Sequence, residues 1–173
     1  MKFFLREAEI GLMKTIVIGL GNPILTDDGV GVLVAYEVSK ILALQNRNDV
    51  DVTEASVGGI RLMELMVGFN RAILVDAIIS SNGCPPGTIH KMSLDDLTYI
   101  SPTQHSASSH DTSLITALAM GRKLGLSLPD KIVIFAIEVE NIIDFNENPT
   151  PKVAQAIPHV TEAVLEVIDD III

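Results

Sequence analysis

Cysteine occurs once, at Cys84, in a chain of 173 residues. A lone thiol excludes an internal disulfide and any multi-thiolate centre, and it fits a reducing compartment, so a cytoplasmic location is expected. Basic residues are also scarce: 12 Lys and Arg stand against 22 Asp and Glu, for a net charge of −10. Binding to nucleic acid depends on cations that neutralise phosphates, so this balance argues against such a partner and for a protein or small molecule. The first ten residues lack an unbroken apolar stretch, because Arg6, Glu7 and Glu9 interrupt it. They read as neither a signal peptide nor a membrane anchor. Internal repeats and low-complexity tracts are absent as well. What the chain does have is apolar content, at 48% of residues with a mean hydropathy of +0.42, enough for one domain to bury a substantial core unaided. Residues 1–13 read as an N-terminal extension, with Met13 placed to serve as an alternative start, and residues 14–173 as a single domain.

The densest chemistry lies near the start. A strand-like run, Thr15-Ile-Val-Ile-Gly-Leu20, leads straight into Gly21-Asn-Pro-Ile-Leu-Thr-Asp-Asp-Gly-Val-Gly31. Gly19 and Gly21 allow a sharp turn, Pro23 stiffens it, and Gly29 and Gly31 leave little bulk where the next helix begins. Asp27 and Asp28 are thereby held at a strand-to-helix turn, where α/β proteins commonly keep their sites.

Further along, helix and strand periods alternate. Val30, Val34, Val38 and Leu42 recur at helical spacing up to Leu44, and the turn residues from Asn46 to Asp49 close that helix. Val50 to Ala55 reads as a strand, Ile60 to Met66 as a short helix, and Arg71 to Asp76 as a buried parallel strand that delivers one carboxylate at its end. After a Gly/Pro-rich loop from Ser80 to Gly87 come a strand at Thr88 to Met92, a helix at Ser113 to Leu124, a strand at Lys131 to Val139 and a closing helix from Pro151 to Ile168. Repeated β-α-β units imply an α/β fold with a mostly parallel twisted sheet and helices on both faces.

A polar cluster, Ser108-Ser-His110-Asp-Thr112, precedes the later helix. The positive end of a helix opposes imidazolium, so His110 there is ready to ligate a metal or accept a proton. One or other of Asp27 and Asp28, then Asp76, then His110 make an open set of two carboxylates and one imidazole, suited to a divalent transition ion.

These segments resemble the hydrogenase maturation protease family. The likeness rests on Gly19 to Gly31, on Gly58-Gly-Ile-Arg-Leu-Met-Glu-Leu65, on Ile73-Leu-Val-Asp-Ala77, on Ser109-His-Asp-Thr-Ser-Leu114, and on Pro149-Thr-Pro-Lys-Val153 followed by Ala156-Ile-Pro158; it runs from about Lys14 to Ile168. The resemblance implies a three-layer αβα sandwich of the phosphorylase/hydrolase-like kind. It also implies an endopeptidase that removes the C-terminal extension from the precursor of the nickel-iron hydrogenase large subunit. It makes Asp28, Asp76 and His110 both the catalytic and the metal-binding residues, with Asp27 as an orienting neighbour. Some members carry glutamate where Asp28 stands, so Asp28 is a shorter ligand of the same type. Nickel is supplied by the precursor and acts as the recognition element, which makes the enzyme, expected to be a monomer, a checkpoint on metal insertion. Two mechanisms are open to these residues: nickel polarises the scissile carbonyl or a water, or one of the aspartates acts as general base.

Other readings fare less well. A Gly-x-Ser-x-Gly elbow, a His-Glu-x-x-His helix and a Cys/His dyad are all missing. Gly19-Leu-Gly-Asn-Pro23 also resembles the opening of peptidyl-tRNA hydrolases, but the Thr-Arg-His-Asn pattern expected after it does not follow. A dinucleotide fingerprint would need glycine in place of Ile24. The main rival is a non-catalytic metal-binding factor of hydrogenase assembly. Each residue has a plainer use too: Asp27 or Asp28 as a helix cap, Asp76 as a turn acid, His110 as a solvated or capping residue, Cys84 as incidental, Met63 and Met66 as core. His90, His105 and His159 have no motif, and Glu138 and Glu140 read as a solvated strand edge with some prospect of substrate contact.

Overall fold

The computed structural model describes residues 13–80, 83–96 and 109–170, without the side chains of 109–113. Strand β1 (Thr15–Leu20) is buried along its whole length, as an unbroken β-branched and aliphatic run requires when both faces of a strand are covered. A short 3-10 turn (Thr26–Gly29) follows, then α1 (Val30–Leu44), β2 (Val50–Ala55), α2 (Gly59–Leu65), β3 (Arg71–Ile78) and β4 (Ile89–Ser93). The chain continues with α3 (Ser109–Lys123), β5 (Lys131–Glu138) and α4 (Pro151–Asp169).

The sheet order is β2-β1-β3-β5-β4. All pairings are parallel except β4 with β5. The exception has a simple cause. Only residues 79–88 separate β3 from β4, and a parallel return needs a crossover of a dozen or more residues, usually a helix. The chain instead turns back and pairs on the far side of β5, where the partly polar β4 serves as an edge.

Alternation along the strands divides the core in two. Val17, Ile73, Val75, Phe135 and Ile137 pack on one face with the apolar sides of α1 and α4, whose Val34, Val38, Val160 and Val164 are fully buried. Ile16, Ile18, Leu74 and Ile134 pack on the other with Leu62 and Met63 of α2 and Leu114 and Leu118 of α3. The result is the three-layer α/β sandwich. Close backbone approach fixes α1 on the sheet: a Cβ on Gly31 would lie 2.3 Å from the Val75 carbonyl oxygen and 2.4 Å from that of Leu20.

The two ends of the sheet differ in chemistry. At the amino ends of the strands, buried Arg71 donates to Thr15 Oγ1 and to the carbonyls of Val167 and Ile168, satisfying the last turn of α4. The carboxyl ends carry acids instead, and the candidate site residues lie there. Among the described residues no helix is long and apolar enough to cross a membrane.

Candidate active site

The turn after β1 is shaped by backbone conformations that give two neighbouring carboxylates different partners. Gly21 has φ +121°, and a Cβ there would sit 1.8 Å from the Asp28 carbonyl oxygen. Thr26 is also left-handed, at φ +45°, a costly state for a β-branched residue. It is held there by the loop after β5: its amide donates to the Asn146 carbonyl (2.9 Å) and its Oγ1 to the Asp144 carbonyl (2.6 Å).

Asp27, next in sequence, is completely buried. Its Oδ2 accepts the amides of Glu140 (3.2 Å) and Asn141 (3.0 Å) and the hydroxyl of Thr150 (3.1 Å), and its Oδ1 accepts the Thr150 amide (2.6 Å). Asp28 is half-buried, and its Oδ2 accepts the Asn22 amide at 2.6 Å. Its Oδ1 takes no hydrogen bond from the described residues. The capping role considered for this pair is not seen: Gly29 occupies the cap position of α1, with no side-chain cap bond. Both carboxylates serve loops instead, Asp27 the two ends of the loop at residues 140–150 and Asp28 its own.

Asp76 emerges from β3, the strand beside β1, where burial gives way to partial exposure, and its Oδ1 accepts the Ala77 amide at 2.9 Å. The 3-10 turn packs on β3, so Asp28 and Asp76 belong to the same carboxyl edge of the sheet. By the two-residue period of a strand, Asp76 faces the side on which Ala72 and Leu74 pack with α3. Helix α3 begins at Ser109, earlier than the expected Ser113, so His110 falls in its first turn rather than before it. The register of the helix is fixed by Leu114, Ala117 and Leu118 against that face of the sheet. The side chain of His110, and the whole of His105, lie outside the described residues. Asp28, Asp76 and His110 are residue types whose donors suit a divalent transition ion.

One expectation is corrected. Glu138 is not a solvated edge residue but is 3% exposed. Its Oε1 meets His90 Nε2 at 2.9 Å and its Oε2 accepts the Ser80 amide at 3.1 Å. The signal was present in the sequence: an apolar run as continuous as Ile132 to Ile137 is covered on both faces, so the charge that ends it starts inside. Glu140 does keep its expected exposure, beside Lys152 Nζ at 3.8 Å, and His159 is exposed. Met63 and Met66 are core residues.

The hydrogenase maturation protease family model matches residues 32–167. This chain belongs to the hydrogenase maturation protease family. The matched stretch contains Asp76 and His110 and begins just beyond Asp28. Hydrogenase 2 maturation protease of Escherichia coli is 28% identical over 153 residues, 88% of this chain and 89% of that protein. The hydrogenase expression/formation protein HupD of Thiocapsa roseopersicina is 23% identical, and the chain spans 66% of its length. Among solved structures, the hydrogenase maturating endopeptidase HybD of E. coli superposes with a TM-score of 0.73 at 25% identity, over 91% of this chain and 93% of that one. HybD of Thermococcus kodakarensis shares the fold, with a TM-score of 0.63 at 22% identity, over 90% and 99% of the two chains. The sandwich and its sheet are those of the hydrogenase maturation proteases, a family of hydrolases.

Proposed function

We propose that this maturation protease removes the C-terminal extension of a nickel-iron hydrogenase large-subunit precursor after nickel has been inserted. On this reading it works as a monomer in the cytoplasm, and Asp28, Asp76 and His110 grip the nickel that the precursor carries. The main support is the pair of half-buried carboxylates at the carboxyl ends of the adjacent strands β1 and β3, in a chain whose family match covers most of its length. Hydrolysis joins a water oxygen to the scissile carbonyl carbon and breaks the C–N bond, with a proton passing to the departing amine. A site carboxylate takes the first proton from that water. In the alternative route the substrate's own nickel, in place of a carboxylate base, activates the reaction by polarising the carbonyl or acidifying the water. Precursor that lacks nickel offers no such handle and stays uncut.

A large protein substrate is also favoured by the loop that Asp27 holds. Ile143 and Phe145 are 80% and 81% exposed, with Ile24 beside them at 47%. The Asn146 amide donates to the Ile24 carbonyl, which fixes this apolar loop against the turn that carries Asp28. Exposed large apolar side chains clustered beside a site mark a contact surface. The double substitution Ile143→Ser with Phe145→Ser is expected to raise KM for the precursor about 5–30-fold, the effect of losing about 1–2 kcal/mol of interface contact, with kcat unchanged. Steady-state kinetics that gave an unaltered KM would remove this loop from substrate binding.

The deciding experiment is mass spectrometry of nickel-loaded and nickel-free precursor, each incubated with the protein. Loss of a C-terminal peptide from the loaded form alone is the expected result. Cleavage of both would keep the protease and discard nickel as its signal. A stable complex of unchanged precursor length would favour the binding-only factor.

A further inference from the structure

We infer that Cys84, His90 and Glu138 form a second metal site, for a divalent ion of the zinc and cobalt class, apart from Asp28, Asp76 and His110. One donor atom from each of the three residues lies within 4.8 Å of the other two. They come from separate elements: Cys84 from the Gly/Pro-rich loop, His90 from edge strand β4, and Glu138 from the end of β5. Across the sheet, Asp76 registers with Ala136, and Ala136 with His90. Glu138 is two residues beyond Ala136, so the strand period puts it on the same face. This second set therefore flanks the proposed active site on the β4 side.

Charge is the strongest reason to place a cation there. Glu138 is 3% exposed, and among the described residues no lysine or arginine pairs with it. A buried carboxylate is costly unless it is neutralised or well paired. Its hydrogen bonds from the Ser80 amide and with the His90 ring orient it but bring no fixed positive charge. A dication bound by one thiolate, one carboxylate and one neutral imidazole gives a site of zero net charge. Binding takes the thiol proton of Cys84 into solution. The sulfur donor selects zinc, cobalt or nickel over magnesium or calcium. Bonds of about 2.0–2.3 Å in tetrahedral geometry set donors about 3.3–3.8 Å apart, so the 2.9 Å contact of His90 Nε2 with Glu138 Oε1 opens a little on binding, while donors that now lie up to 4.8 Å apart move closer by up to about an ångström. Three protein ligands leave a fourth position open to water or substrate.

The lone cysteine makes the test specific. Cobalt(II) titrated anaerobically into the full chain should give, at one equivalent, a near-ultraviolet thiolate-to-cobalt charge-transfer band, which only Cys84 can supply. Cys84→Ser should abolish that band, while His110→Ala and Asp28→Asn should leave it intact. His90→Ala and Glu138→Gln should each weaken the affinity read from the band by about tenfold or more. The site is overturned if no band forms, or if the band keeps its affinity in His90→Ala. His90 is part-exposed, so that variant decides the matter even if Glu138→Gln fails to fold.

Discussion

Asp28→Asn, Asp76→Asn and His110→Ala should each reduce removal of the precursor's C-terminal peptide by about 10²–10³-fold or more, the scale of losing one preorganised group from a reaction centre. The two amides are chosen because they preserve shape. An asparagine at 28 can still accept the Asn22 amide that Asp28 Oδ2 holds at 2.6 Å, and one at 76 can still accept the Ala77 amide. What each loses is negative charge and basicity, the properties that a metal ligand or a proton acceptor needs. Stability should therefore move little while processing fails. The checking measurement is single-turnover cleavage of nickel-loaded precursor by mass spectrometry, paired with thermal unfolding of each variant. A variant that cleaves at the wild-type rate takes its residue out of the site. A variant that loses cleavage only because its melting temperature has collapsed would show that the residue belongs to the scaffold. If Asp28→Asn binds loaded precursor normally but does not cut it, proton transfer is favoured over ligation as the role of Asp28.

Much of this arrangement was legible because local pattern and burial agree. The valines of α1, the alternation of β2 and the apolar run that ends in Asp76 each predicted its element closely, the last because a strand covered on both faces must be apolar. The site features that escaped are those fixed by distant contacts. The amide partners of Asp27 lie 113, 114 and 123 residues away, and no spacing rule near Asp27 announces them. Thr26 takes a left-handed conformation that its own side chain disfavours, because the 144–146 backbone accepts its hydroxyl and amide. Glu138 differs: the unbroken apolar run before it already marks the strand end as buried, and only its cover, β4 and the Ser80 segment, depends on distant contacts. The early start of α3 was hidden because Ser109 to Ser113 is a polar segment with no apolar periodicity of its own.

Asp27→Ala should be the most damaging single change to the fold near the site, although Asp27 is adjacent to a residue assigned to chemistry. Removing its carboxylate leaves the amides of Glu140, Asn141 and Thr150 and one hydroxyl without their acceptor. Each buried donor left unsatisfied costs about 1–3 kcal/mol, so allowing for some relaxation toward water the loss should be about 3–5 kcal/mol. In a domain of this size that lowers Tm by about 6–20 °C. Asp27→Asn should do roughly half as much harm, because one oxygen remains to accept while the amide nitrogen faces a donor. The effect on processing should run the other way from stability. Below its own melting temperature Asp27→Asn should cleave with near-normal kcat and a raised KM, since the apolar loop of Ile143 and Phe145 loosens while Asp28 and Asp76 keep their groups. Asp28→Asn should instead be stable and inactive. Thermal unfolding together with kinetics at a temperature where both variants are folded separates the two roles. An Asp27→Asn protein that is folded yet as inactive as Asp28→Asn would move Asp27 into the reaction itself, and an unchanged Tm for Asp27→Ala would mean that these buried hydrogen bonds do not hold the two loops together.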